Sequence, residues 1–277
     1  MAANNEPSAS PTVDPRPIGV FDSGIGGLTV VSALRKLLPN ESIQYLGDTA
    51  RVPYGGKSAT TVQRYSLEIA ALLLERNAKT IVVACNTASA LALTVLQEKL
   101  PISVTGVIAP GAQAAAAATR NGHIGVIGTR ATIKSGAYER AIKALNPEAR
   151  VLARACPLLV PLIEEGWLES KITDEILLQY LQPMLDDGVD TLVLGCTHYP
   201  LLRPAITRLL GNQVTLVDSA ENCALAVRNL LAAEQSQAAP GNQAALRVAL
   251  TDPPDAFLRV AREALQLEIG EVETRPM

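Results

Sequence analysis

Thr80-Ile81-Val82-Val83-Ala84-Cys85 and Thr191-Leu192-Val193-Leu194-Gly195-Cys196 are the two stretches that decide the fold. Each runs from a threonine through β-branched residues or leucine to a small residue and a cysteine. Short uncharged runs of this kind read as strands buried on both faces. Polar residues follow each at once, Asn86-Thr87 and Thr197-His198. A second pair lies upstream, Ile18-Gly19-Val20-Phe21-Asp22-Ser23 and Ile124-Gly125-Val126-Ile127-Gly128-Thr129. The two offsets are 106 and 111 residues. Two matches in the same order at nearly the same spacing imply a duplicated α/β unit.

Working outward, strand-like runs alternate with helical patterns. Strands are expected at Ile18–Phe21, Ile43–Leu46, Thr80–Ala84, Ile124–Ile127, Val151–Ala155, Thr191–Leu194, Val214–Val217 and Leu246–Leu250. Helices are expected at Leu28–Leu38, Val62–Arg76, Ala88–Lys99, Ala137–Leu145, Thr173–Asp186, Pro204–Leu210, Ala220–Ala233 and Asp255–Leu265. Such alternation predicts parallel sheets with helices on both faces.

The 277 residues are 48% hydrophobic but only 3% aromatic, so Val, Ile, Leu and Ala must fill the core. Net charge is −3 and no long basic block occurs, which argues against nucleic acid as a partner. Four cysteines without a CxxC pair, and two histidines, make neither a disulfide scaffold nor an evident zinc site. Residues 1–16 carry Pro7, Pro11 and Pro15 among polar residues and lack an apolar signal region. They read as a disordered tail. The uncharged run 80–97 has Asn86, Thr87 and Ser89 in its middle, which a membrane span would not tolerate well. These signs point to the cytoplasm.

Ligands of open parallel sheets bind beyond the carboxyl ends of the strands. Cys85 and Cys196 both stand there. If the lobes face one another, the two thiols approach one ligand from opposite sides, as inversion of a carbon centre requires. Ordinary buried cysteines are the alternative reading. It suits Cys223, in a helix, and Cys156, but not the duplicated pair. Free N–H groups after each cysteine are expected to hold an anion and lower the thiol pKa. The loop Asp22-Ser23-Gly24-Ile25-Gly26-Gly27 adds donors and a carboxylate, but Thr29 breaks the GxGxxG spacing of a dinucleotide site. Asp22 reads equally as a helix cap. His198, two residues beyond Cys196, suits proton transfer.

Taken together, Gly19 to Leu28, Gly47-Asp48-Thr49-Ala50-Arg51-Val52-Pro53-Tyr54-Gly55, Ala84-Cys85-Asn86-Thr87-Ala88 and Gly195-Cys196-Thr197-His198-Tyr199-Pro200-Leu201 resemble the glutamate racemase family, over about Ile18 to Leu265. The cysteine motifs alone would fit the wider aspartate/glutamate racemases.

The resemblance implies two α/β lobes with pseudo-twofold symmetry and the active site between them. It implies a first lobe of 17–106 plus 217–277 and a second of 107–216. It implies catalysis by Cys85 and Cys196 with Asp22, His198 and Glu164 assisting. Asp22, Ser23, Tyr54, Gly55, Asn86, Thr87, Thr197 and His198 would bind substrate. No cofactor or metal is implied; the substrate would be glutamate, the product D-glutamate would feed peptidoglycan synthesis, and the protein would be a homodimer without a membrane partner. An aspartate racemase-like enzyme stays open, since one methylene is worth only ~1–3 kcal/mol of discrimination. So do a non-enzymatic binding protein on the same scaffold and a pyridoxal phosphate enzyme.

Overall fold

A computed structural model describes residues 13–252, 266–267, 269–270 and 272–276. The helix expected over Asp255–Leu265 and residues 1–12 of the expected tail lie outside these.

The first elements are β1 (Ile18–Asp22), α1 (Leu28–Leu37), β2 (Ile43–Gly47), α2 (Ala59–Glu75), β3 (Thr80–Val83), α3 (Asn86–Leu91), α4 (Leu93–Lys99), β4 (Val104–Gly106) and α5 (Ile108–Ala118). Then come β5 (His123–Gly128), α6 (Arg130–Ser135), α7 (Ala137–Leu145), β6 (Arg150–Ala155), α8 (Leu159–Glu164), α9 (Lys171–Asp186), β7 (Thr191–Gly195), α10 (Arg203–Leu210), β8 (Thr215–Asp218) and α11 (Ser219–Ala233). Strands β9 (Leu246–Leu250) and β10 (Val272–Thr274) follow. The strands form two sheets, ordered β10-β9-β2-β1-β3-β4 and β6-β5-β7-β8, with every pairing parallel.

The duplication seen in the sequence is a duplication of topology. The order β2-β1-β3-β4 repeats as β6-β5-β7-β8. Register repeats too: Ile18 pairs with Thr80, and its counterpart Ile124 pairs with Thr191. Ile18 also pairs with Ile43, as Ile124 does with Val151. Residues of β1, β3 and β7 are buried throughout, as strands covered on both faces must be.

Helices cover each sheet on two faces. The face of the first sheet under α1 and α11 buries Val20, Val30, Leu34, Ala224 and Val227. The other buries Phe21, Ile69, Leu73, Ile81 and Leu96. In the second sheet, Leu177, Leu181, Leu192 and Ile206 pack on one face, and Ala112, Val126, Tyr138 and Ile142 on the other. Each such Val, Leu or Ile contributes ~1.5–3 kcal/mol by leaving water.

Several boundaries differ from expectation, among them those of α3 and α2. The helix expected over Ala88–Lys99 is two, broken at Ala92, whose φ of −122° is not helical, and α3 starts immediately after Cys85. Helix α2 starts at Ala59, because the Ser58 hydroxyl accepts the N–H of Thr61. The tail is also anchored earlier than expected. Asp14 donates its N–H to the Gln237 carbonyl, and its own carbonyl accepts Lys79 Nζ at 2.9 Å. Among the described residues no helix is long and apolar enough to cross a membrane.

Candidate active site

In each sheet the chain leaves two neighbouring strands, β1 and β3 or β5 and β7, at adjacent carboxyl ends. Asp22 ends β1 and Ser23 follows it, and Cys85 follows β3; Thr129 follows β5 and Cys196 follows β7. These ends border a single cavity of about 410 Å³. Both Cys85 and Cys196 line it, with Ser23, Tyr54, Gly55, Asn86, Thr87, Glu164, Thr197 and His198. Asp22 is not in the wall. It lies fully buried behind it and organises the loop after β1.

That loop is folded around the carboxylate. Asp22 Oδ2 accepts the Gly24 N–H at 2.9 Å, and the Gly27 N–H is bonded to the same group. Two of the loop's donors are therefore spent on their own aspartate, and its side chain caps no helix. Burial pushes the Asp22 carboxyl up, against the pull of His198 and these N–H groups. Asp22 also ties the lobes together, since Thr197 Oγ1 reaches its Oδ1 at 3.4 Å. Gly26 belongs to the same seam. A Cβ there would stand 2.3 Å from Thr197 Oγ1 and 2.5 Å from His198 Nδ1, so only glycine lets the loop approach so closely.

The two thiols differ in company. Cys85 Sγ lies 3.6 Å from Ser23 Oγ. Burial, then the negative charge of Asp22, push it up to about 12. The lowered pKa expected from the following helix is thus not found: the Ala88 N–H does pull down, but desolvation outweighs it. Cys196 Sγ instead faces His198 Nδ1 at 3.8 Å, and His198 Nε2 meets Glu164 Oε1 at 3.1 Å. Burial pulls His198 down, yet the hydrogen bonds and charges of Cys196 and Glu164 win and hold it up at about 10. This raised value favours the protonated imidazole.

Tyr54 is presented to the cavity by a buried scaffold. Its hydroxyl bonds Asp48 Oδ2, and Asp48 also takes Arg51 Nε at 2.7 Å and Thr251 Oγ1 at 3.1 Å. Burial and Asp48 push the Tyr54 phenol far up, so it keeps the proton that it donates to Asp48.

The wall also holds residues that the sequence reading does not assign to the site, three of them chemically notable. Thr129 and Arg130 are there, and so is Cys156, which the sequence had assigned to ordinary core. Burial pushes the Cys156 thiol to about 12, which keeps it neutral. The duplication contained the signal: Thr129 is the counterpart of Ser23, and the register makes Cys156 the counterpart of Asp48. Cys223 is in the core of α11, as expected. Among the described residues, no three His, Cys, Asp or Glu side chains gather as a metal would require.

Residues 27–227 match the Asp/Glu/Hydantoin racemase family. The chain is 52% identical over 255 residues to a glutamate racemase of Geobacter metallireducens, covering 92% of this chain and 94% of the relative. The chain belongs to the glutamate racemase family. Solved glutamate racemases share its fold. One from Bacillus anthracis superposes with a TM-score of 0.90 at 41% identity, covering 95% of this chain and 98% of that one. Another, from Francisella tularensis in complex with D-glutamate, gives 0.88 at 39%, with 95% and 98% covered. Glutamate racemases are isomerases, and the two-sheet architecture found here is theirs.

Proposed function

We propose that this isomerase interconverts L- and D-glutamate by two-base chemistry, with Cys85 and Cys196 on opposite faces of the α-carbon. The observation that carries this reading is that both duplicated strand-end thiols border one cavity. One sulfur, as thiolate, takes the α-proton, and the electron pair left behind delocalises into the α-carboxylate. The other sulfur, as thiol, delivers its proton to the opposite face. The two cysteines end with their protonation states exchanged, and proton exchange with solvent resets them.

The α-proton is weakly acidic, so the site must supply more than a base. General acid–base catalysis gives ~10²–10⁴ in rate. Fixed donors around the developing charge and exclusion of water supply the rest. Asn86, Thr87, Ser23, Gly55 and Thr197 serve as those donors and bind the two carboxylates, with Tyr54 in the wall beside them. Asp22 and Ser23 serve the Cys85 face. On the other face His198, held charged by Glu164, exchanges protons with Cys196. No step needs a metal or pyridoxal phosphate. The family suggests that the protein is a cytoplasmic homodimer whose D-glutamate enters peptidoglycan.

The test is circular dichroism of L- and of D-glutamate incubated with purified, chelator-treated, pyridoxal-free protein. Both signals should decay to zero. Persistence of both would sink the reading. Decay of aspartate signals at the same rate would move the substrate to the shorter acid, and recovery only with zinc or pyridoxal phosphate would overturn the mechanism.

A further inference from the structure

Asn86 is buried, lines the cavity, and follows Cys85 directly. Its amide has an acceptor end and a donor end. The acceptor end is taken, because Tyr138 Oη donates to Asn86 Oδ1 at 2.7 Å. The donor end, Nδ2, is buried and has no partner among the described residues. A buried N–H left without an acceptor is costly, so such a group in a cavity wall calls for an acceptor on the ligand.

Tyr138 comes from the other lobe, on α7. It is buried and does not itself line the cavity. Its ring fills the space at Gly195, the residue before Cys196: a Cβ on that glycine would stand 3.1 Å from Tyr138 Cε2. One side chain therefore touches the residue before one cysteine and the residue after the other. Burial pushes its phenol up, so the proton stays on the oxygen. The hydroxyl thus has a proton to give and gives it to Asn86.

We infer that Tyr138 is a positioning residue, whose hydroxyl holds the Asn86 amide with its N–H donors free for a substrate carboxylate. This rests on the functional reading above for the identity of the ligand. Without the hydroxyl the amide loses what distinguishes its two ends. It can then turn Oδ1 toward the ligand, where an oxygen repels a carboxylate.

The experiment is calorimetric titration of D-glutamate into wild type, Tyr138→Phe, Asn86→Ala and the double variant, with folding checked by circular dichroism. Tyr138→Phe should weaken binding about tenfold, and the double variant should bind no worse than Asn86→Ala alone, because residues acting through one another are non-additive. Wild-type affinity in Tyr138→Phe, or losses that multiply in the double variant, would overturn the inference. A lowered melting temperature with unchanged affinity would mean packing only and overturn it too. Should Tyr138→Phe not fold, Asn86→Asp decides, since it keeps the shape and removes the donor: retained affinity there overturns the inference. Wild type that binds D-glutamate without inverting it would defeat the functional reading alone, leaving the affinities to decide this one. Wild type that binds no glutamate would defeat both.

Discussion

The segments after β3 and after β7 are copies in topology and register, yet they surround their cysteines differently. Cys85 opens a helix and faces a serine hydroxyl, with a buried carboxyl behind. Cys196 opens a turn and faces an imidazole anchored by Glu164. On the proposed two-base reading, the duplicated backbone would supply the opposed geometry and the diverged side chains the proton chemistry. At the Cys85 end burial and the Asp22 carboxylate favour the protonated sulfur. At the Cys196 end an imidazole with a raised pKa stands against the sulfur.

The hardest test of this pairing is removal of either thiol. Cys85→Ala or Cys196→Ala should each lower racemisation by about 10³-fold or more, and the double variant should lose little further, because the two act as a unit. In heavy water the wild type should place deuterium on the α-carbon of the inverted product. A folded single variant racemising near the wild-type rate would break the comparison outright.

Next in size is the Glu164 contact. His198 binds its proton more tightly in the folded protein than at its ordinary value of 6.5, so its contribution to stability is whole below 6.5 and is lost as pH rises through about 10. Glu164→Gln removes one of the anions that hold this proton. The alkaline fall in kcat should move to lower pH, with kcat at pH 9 down about tenfold. An unmoved alkaline limb would detach Glu164 from the Cys196 side.

Gly26→Ala sharpens the asymmetry from the packing side. The added Cβ collides with Thr197 and His198, not with Cys85. It should destabilise by ~1–3 kcal/mol in denaturant titration. Kinetic damage should take the form of a changed pH profile like that of the Glu164 variant.

Two changes should touch neither side. A chain starting at Pro17 loses the Asp14 carbonyl bonded to Lys79, at a cost of about 1 kcal/mol, and keeps its activity. Cys223→Ala leaves a small void in the core under α11 and should cost ~1–3 kcal/mol in stability with an unchanged rate. A tenfold loss of rate in either would show that the first lobe's far end reaches the chemistry.

The sequence reveals strands better than short helices. Strands β1, β3, β5 and β7 stand out because burial on both faces demands unbroken apolar runs, and those runs end at the site. Helix α5 does not stand out. Pro110 and Gly111 read as breakers, and the alanines after them have no amphipathic stripe; the proline is tolerated because it sits in the first turn. The six-residue helices α6 and α8 are too short for periodicity, which hides Arg130 at the wall. The partners of the cysteines were legible where they lie next in sequence, as His198 does. Cys156 was not, because its place in the wall follows from sheet register, and a strand's neighbours are not written in its own residues. Tyr138 was hidden for a related reason: its role lies in a contact between lobes.

One pairing has a consequence for how the chain is made. Strand β2 sits between β1 and β9, and Ile43 pairs with Leu246. At ~5–20 residues per second, synthesis separates those partners by about 10–40 s. Through that interval β2 is an open edge, with backbone N–H and C=O groups that another chain could capture. The second sheet, whose strands all lie between His123 and Asp218, needs no such wait. Translation should therefore deliver a finished second lobe beside an incomplete first one. A nascent chain halted at residue 240 should engage chaperones through the exposed flank of β2, and release them once Leu246–Leu250 emerges.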